Sequence, residues 1–347
     1  MRGFSQLKIE GISDCHCQGI AIDKKREYMY FSFTTSLIKT DMSGNIIGSV
    51  KGIVGHLGCI AYNDIDNKIY GSLEYKNDSI GRDIINTLNS DIVFQDRFYI
   101  ASFDADKITR TDMDAEKDGI MTAAYLSEVV DDYSAKGHRY GCSGIDGITL
   151  APKPGSKEGT FIYVAYGIYD DTRRRDNNYQ IILSYDYNKI ISQFFPLKQE
   201  SLHLIGPECY DNKYFVYTGN TDFGIQNLEY DKDNNCLFAA VYKGRKLCFP
   251  NYLLFAIDIN CPSEYKKLRG LNEKGNVLKL KNFGFFKHRG KIYGSNFQYG
   301  SEGMISLGDN KFLFVKKLRN ETRHGAIVSA FRLHPDLGFI EEEIDLI

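Results

Sequence analysis

His16-Cys17-Gln18-Gly19-Ile20 is the stretch whose reading decides the fold. It recurs, loosely but in one alignment, as His56-Leu57-Gly58-Cys59-Ile60, Gly144-Ile145-Asp146-Gly147-Ile148, Gly224-Ile225-Gln226-Asn227-Leu228 and Gly300-Ser301-Glu302-Gly303-Met304. Each copy has His or Gly first, a mostly polar residue third and an aliphatic residue fifth, and each opens a short apolar strand. The copies start at residues 16, 56, 144, 224 and 300, with gaps of 40, 88, 80 and 76 residues. Self-similarity on this scale marks a repeat architecture.

Downstream of the first copy, Tyr28-Met29-Tyr30-Phe31-Ser32-Phe33, Leu37-Ile38-Lys39-Thr40-Asp41 and Ile46-Ile47-Gly48-Ser49-Val50 are separated by short turns, which predicts four strands of an up-and-down sheet. Second strands recur at Lys68–Leu73, Phe161–Tyr166, Leu237–Tyr242 and Phe312–Lys316. Third strands recur at Tyr99–Asp104, Ile181–Asp186, Leu253–Asp258 and Ile327–Arg332. Asp41, Asp104, Asp186 and Asp258 close four of the third strands, as turn formers that accept backbone N–H groups. The insertion from Ile80 to Asp96 has the spacing of a short helix through Ile84, Ile85 and Leu88. Ser5 to Ile12 alternate weakly and read as a strand lent to the last sheet, which removes two free edges. These columns predict an all-β chain: one β-propeller domain over 1–347, with five four-stranded blades around a central channel. A sixth blade is the alternative, if residues 190–222 form a sheet of their own.

Net charge is −2, so no global field draws the chain to nucleic acid or to an anionic membrane; neither is an expected partner. Strands are served by 24 Tyr and 22 Phe, with no Trp. No apolar run approaches the roughly 20 residues that span a bilayer, and the first residues lack the apolar core of a leader. The expected location is cytoplasmic, or secreted if a leader has been removed. Among eight cysteines there is no CxxC, and free thiols are expected, with Cys59, Cys236 and Cys248 in apolar surroundings. Asp114 to Tyr125 matches a calcium loop only in part and reads as an acidic turn.

In such a ring the starts of the inner strands share one face. That face receives Gln18, Asp146, Gln226 and Glu302, with His16 and His56 two residues before the third position. Loops after the second strands add Glu74, Lys76, Tyr166, Tyr169, Arg173-Arg174-Arg175, Tyr242, Lys243 and Lys317. Asp146 and Glu302 are the candidate acid/base pair, with His56 and Tyr166 as further catalytic candidates. Gln18, Glu74, Gln226, Tyr242, Lys243 and Lys317 are candidate substrate contacts. His16 and His56 are candidate ligands of one divalent cation in the channel. Basic groups around a mouth favour an anionic small molecule or oligosaccharide, and Tyr or His beside them fits β-elimination on a uronic acid.

The three columns resemble the five-bladed β-propeller superfamily across nearly the whole chain. Many propellers of that type are glycoside hydrolases or related sugar-active enzymes, with three acids on inner strands of successive blades. Here the aligned third positions are Gln18, Gly58, Asp146, Gln226 and Glu302, so that triad does not carry over. The resemblance implies a carbohydrate-active enzyme, a glycoside hydrolase or uronate-type lyase, with its site at the axial mouth. The alternatives are a non-catalytic sugar- or protein-binding propeller and a metal-centred one.

Overall fold

Short aromatic and β-branched segments, cut by Asn, Asp and Gly turns, fold as antiparallel meanders in the chain's computed structural model. The structure describes residues 4–13, 15–89, 92–93, 95–319 and 323–346; the first three residues, read above for a leader, lie outside that set. After β1 (Gln6–Ser13), the first meander is β2 (Cys17–Ile22), β3 (Tyr28–Phe33), β4 (Ser36–Asp41) and β5 (Ile46–Lys51). The second begins β6 (His56–Asn63), β7 (Lys68–Tyr75) and β8 (Arg97–Asp104), with helix α1 (Ser79–Leu88) inserted before β8. Then β9 (Met113–Asp114) returns to lie parallel to β5, and β10 (Met121–Tyr125) extends the second sheet. Helix α2 (Ser127–Ser134) leads to the third run: β11 (Cys142–Ala151), β12 (Phe161–Ile168) and β13 (Tyr179–Asp186).

Residues 190–222 do not form a separate sheet. They give β14 (Phe195–Pro196), which pairs with β10, and β15 (Asn212–Tyr217), which pairs with β13. The fourth run is β16 (Asp222–Asp231), β17 (Cys236–Tyr242) and β18 (Leu254–Asp258). Beyond it, β19 (Glu264–Lys267) pairs with β20 (Lys274–Leu280). β20 runs antiparallel to β18 but parallel to β15, so it stitches the third and fourth runs into one nine-stranded sheet. A small hairpin, β21 (Lys287–Arg289) and β22 (Ile292–Gly294), precedes the last run of β23 (Met304–Gly308), β24 (Lys311–Arg319), β25 (His324–His334) and β26 (Gly338–Glu341). β1 pairs with β25, as the alternation at residues 5–12 predicts.

The fold is a β-propeller, and its core is divided into apolar layers between successive runs. Leu37 and Val50 meet Leu57 and Ile69; Tyr70 and Phe98 meet Ile148 and Val164; Tyr163 and Ile182 meet Leu237 and Phe255. Phe238 and Ala256 meet Phe314 and Phe331, and Leu313 and Val328 meet Ile20 and Phe31. The last layer joins the final run to the first and closes the ring. Burying one such Phe or Leu contributes about 1.5–3 kcal/mol. Turn chemistry follows expectation: Asp41, Asp104, Asp186 and Asp258 accept backbone N–H groups from Ser43, Asp106, Asn188 and Asn260. All eight cysteines are free, but Cys248 is exposed in a loop, contrary to the apolar setting expected of it.

Candidate functional site

The motif's first and third positions converge at one end of the ring. Gln226 Nε2 donates to Asp146 Oδ2 at 3.2 Å, and Gln18 Nε2 lies 3.0 Å from His16 Nε2 and 3.1 Å from His56 Nε2. Asn227 Nδ2 donates to the carbonyls of Gln18 and Ser301 at 2.9 and 2.8 Å, tying inner strands together across the axis. Above them opens a cavity of about 550 Å³, within the range of small-molecule sites. Gln18, His16, His56, Asp146 and Gln226 line it from the inner strands.

A second lining column lies on the neighbouring strands. Glu74 pairs with His56, and Gly167 pairs with Gly144. Thr34 and Tyr242 are the next residues after Phe33 and Val241, which pair with Cys17 and Ile225. Side chains alternate along a strand, so Thr34, Glu74 and Tyr242 face the cavity, joined by Lys317 of the last run. The same alternation turns Tyr166 away. It pairs with Ile145, is fully buried, and its hydroxyl donates to Asp132 Oδ2 at 2.9 Å; it does not line the cavity. Lys243 is exposed and outside the lining as well. Both expectations are therefore corrected.

The floor is a buried polar cluster. Lys76 Nζ sits 2.5 Å from Glu74 Oε1, 3.7 Å from Asp78 Oδ2, and donates to the Ser143 carbonyl at 3.0 Å. Glu74 Oε2 accepts the Ile145 N–H at 3.0 Å. This approach needs Gly144: at φ +124° a side chain is strained, and a Cβ would stand 2.1 Å from Glu74 Oε2. Gly58, the third position without a side chain, is filled from outside; its Cβ would meet Ser72 Oγ at 2.5 Å and Asp146 Oδ1 at 3.2 Å. His56 Nδ1 faces Glu74 Oε1 and Asp146 Oδ1, each at 3.7 Å, and makes no hydrogen bond.

Burial governs the protonation states here. It raises Asp146 well above its ordinary value, and the Glu74 charge adds to that shift. Burial raises Glu74 too, against the pull of Lys76. Burial works against the Lys76 ammonium, yet Glu74 and Asp78 outweigh it and the net shift is upward. His56 is pushed down to about 3 by burial and the Lys76 charge, and His16 to about 4 by burial and Lys317. The floor is thus a Lys76–Glu74 ion pair beside a carboxyl whose charged form burial disfavours, with both imidazoles neutral at neutral pH.

Glu302 pairs with Lys317 at 3.0 Å, accepts from Ser301 Oγ at 3.0 Å, and does not line the cavity. The basic loops are neutralised locally: Arg173 pairs with Asp171, Arg174 with Asp176 and Arg245 with Asp170. Among the described residues, His56, Glu74 and Asp146 form a donor set able to take a cation, with ligand atoms within 4.8 Å of one another; His16 is not in it. Lys76 already places a positive charge on Glu74 Oε1, the oxygen that faces His56.

Helix α1 roofs one side of the cavity through Ile80, Asp83, Ile84 and Thr87. Asp78 caps that helix by accepting the Gly81 N–H at 2.9 Å, while its other oxygen faces Lys76, so roof and floor share one carboxylate. On the opposite wall Phe223 holds φ +59°, is 42% exposed and packs edge-on to Tyr242 at 6.2 Å. An exposed aromatic held in a left-handed conformation is the kind of strain that gathers at ligand sites. The motif columns gave no signal for Phe223, because it precedes the fourth copy.

No protein-family model matches the chain, and no curated protein does. Among solved structures it is similar to the Dos1 propeller, at 12% identity and a TM-score of 0.39, covering 94% of this chain and 69% of that one. It is similar to the tail fiber of a Staphylococcus aureus phage, at 10% identity and a TM-score of 0.43, covering 98% of this chain and 53% of that one. A carbohydrate-active enzyme of Trichoderma reesei, in its calcium structure, aligns at 9% identity and a TM-score of 0.41, over 90% of this chain and 80% of that one. No helix is long and apolar enough to cross a membrane among the described residues.

Proposed function

We propose that the chain is a single five-bladed propeller and an enzyme that cleaves uronate-bearing oligosaccharides by β-elimination. The observation that carries the reading is Asp146, a half-buried carboxyl at the floor of an open cavity, aimed by Gln226 and shifted toward its protonated form by burial and the Glu74 charge. A neutral carboxyl is the group a leaving glycosidic oxygen needs. Hydrolysis by a carboxylate pair is less well supported, because its second member, Glu302, is tied to Lys317 away from the lining.

In this reading His16, kept neutral by burial, takes the proton next to the uronate carboxylate. The electron pair of that C–H bond forms the ring double bond, the C–O bond to the leaving sugar breaks, and Asp146 gives its proton to the departing oxygen. Lys317, half-exposed at the wall, offsets the charge that builds on the uronate. Phe223 and Tyr242 supply apolar surface for the sugar ring. Lys76 and Glu74 position Asp146 and do not exchange protons with substrate.

The test is a panel of uronate-bearing oligosaccharides, read for new reducing ends and for the ultraviolet absorbance of an unsaturated uronate. Both signals should appear together and vanish in Asp146→Asn, with the fold kept. Reducing ends without unsaturated product would replace elimination by hydrolysis; full turnover in Asp146→Asn would remove Asp146 from the mechanism.

A further inference from the structure

The axial cavity does not explain the most one-sided charge in the molecule. Between Glu264 and Lys291 the chain carries nine Lys and Arg residues against two carboxylates, although the whole protein is at −2. This segment contains β19, β20 and the β21–β22 hairpin, the elements that stitch the third and fourth runs together. It lines a groove of about 380 Å³ with Lys266, Lys267, Arg269, Lys279 and Lys291 beside Tyr217.

The groove is built. The Arg269 backbone N–H donates to the Tyr179 hydroxyl at 2.7 Å, and its guanidinium lies 4.8 Å from the centre of the Tyr217 ring. Both carboxylates of the segment are already engaged: Glu264 with Lys266 and Lys279, and Glu273 with Arg139. Lys267, Arg269 and Lys291 are exposed and have no acidic partner among the described residues. Tyr179 and Tyr217 pair with each other. They lie at the cavity-side ends of β13 and β15, whereas Lys279 pairs with Asp258 at the end of β18 away from the cavity, so the groove runs along the outer edge where the third and fourth runs are stitched together.

We propose that this groove docks an acidic polysaccharide, holding a carboxylate- or sulfate-bearing chain along the outer edge of the third and fourth runs. The choice of polysaccharide over other polyanions rests on the sugar reading of the cavity. The groove itself argues the same way. Single-stranded nucleic acid is gripped by stacking bases on free aromatic faces, and here Tyr217 is covered by Arg269 and Phe249 while Tyr293 is stacked on His288. A concave site of this volume takes a thin chain better than a flat bilayer.

The experiment measures equilibrium binding of the full chain carrying Asp146→Asn, so that turnover does not interfere. Its probes are polygalacturonate, the neutral methyl-esterified polymer, and a single-stranded oligonucleotide. Polygalacturonate should bind, weaken as salt rises, and lose roughly tenfold or more in affinity in Lys267→Ser/Arg269→Ser/Lys291→Ser. Lys267→Glu/Lys291→Glu, which keeps the Arg269–Tyr217 contact, should lose at least as much. Equal binding by those variants, equal binding of the neutral polymer, no binding of any probe, or tighter binding of the oligonucleotide would overturn the proposal. Failure of the cavity reading shows separately, as turnover that survives Asp146→Asn in the otherwise unaltered chain.

Discussion

Lys76→Met isolates the electrostatics of the floor. The ammonium and Glu74 are 6% and 3% exposed and 2.5 Å apart, so the substitution strands a buried carboxylate that keeps only the Ile145 N–H. Breaking a buried pair from one side costs about 3–5 kcal/mol. Glu74 can escape by taking up a proton on folding, and this sets the pH dependence. A carboxyl whose folded pKa lies above its unfolded value binds more protons when folded, so stability is highest at low pH and falls as pH rises between the two values. From an unfolded value of about 4.3 to pH 7 the penalty grows by about 1.4 kcal/mol per unit, reaching roughly 3.7 kcal/mol, in agreement with the first figure. Burial already raises Glu74 in the native protein, so the two slopes overlap in part. The gap between native and Lys76→Met proteins should open from near zero at pH 4.5 to about 3 kcal/mol at pH 7, measured by urea unfolding. Adding Glu74→Gln should recover most of the loss, since no charge is then stranded. A gap that does not change with pH, or a double variant no more stable than the single one, would refute the reasoning.

His56 and His16, lowered to about 3 and about 4, bind fewer protons folded than unfolded. Stability should therefore fall as pH drops below about 6.5, at up to about 1.4 kcal/mol per unit for each ring, and urea midpoints from pH 7 to 5 should flatten in His56→Gln. Tyr166→Phe should leave turnover intact and cost about 1–3 kcal/mol in thermal or urea unfolding, because buried Asp132 loses a donor. Phe223→Gly should raise stability by up to about 1 kcal/mol by relieving the left-handed backbone, while weakening ligand affinity; lower stability would mean that the ring packs against the wall for structural reasons.

The ring was legible because its signals are local. Alternating strands, turn-forming Asp41, Asp104, Asp186 and Asp258, and the recurring motif each need only a few neighbouring residues. Asp146, Gln18, Gln226, His16 and His56 line one cavity because inner-strand starts must meet at the axis. Tyr166 was misplaced because a strand end does not reveal which way its side chains alternate. The pairing of Ile145 with Tyr166 settles that, and it depends on a bulge within β11. Lys243 falls one residue beyond the lining column for the same reason. The Lys76–Glu74–Asp146–His56 cluster was hidden in a different way. It combines side chains from three strands of two sheets with Lys76, just beyond the end of β7, and nothing in the spacing of residues 56, 74, 76 and 146 fixes which charge meets which.

β1 fills its place against β25 through bonds such as Gln6 Nε2 to Ser329 Oγ, 323 residues apart. On the ribosome, that strand emerges about three hundred residues before its partner. Until β25 arrives, the nascent chain holds an unmatched strand and, later, an unmatched sheet edge, both of which invite pairing with other chains. Synthesis rate and chaperone cover should therefore govern the yield of this protein more than the stability of any single meander, and a circular permutant that places β1 directly after β26 should lessen that dependence.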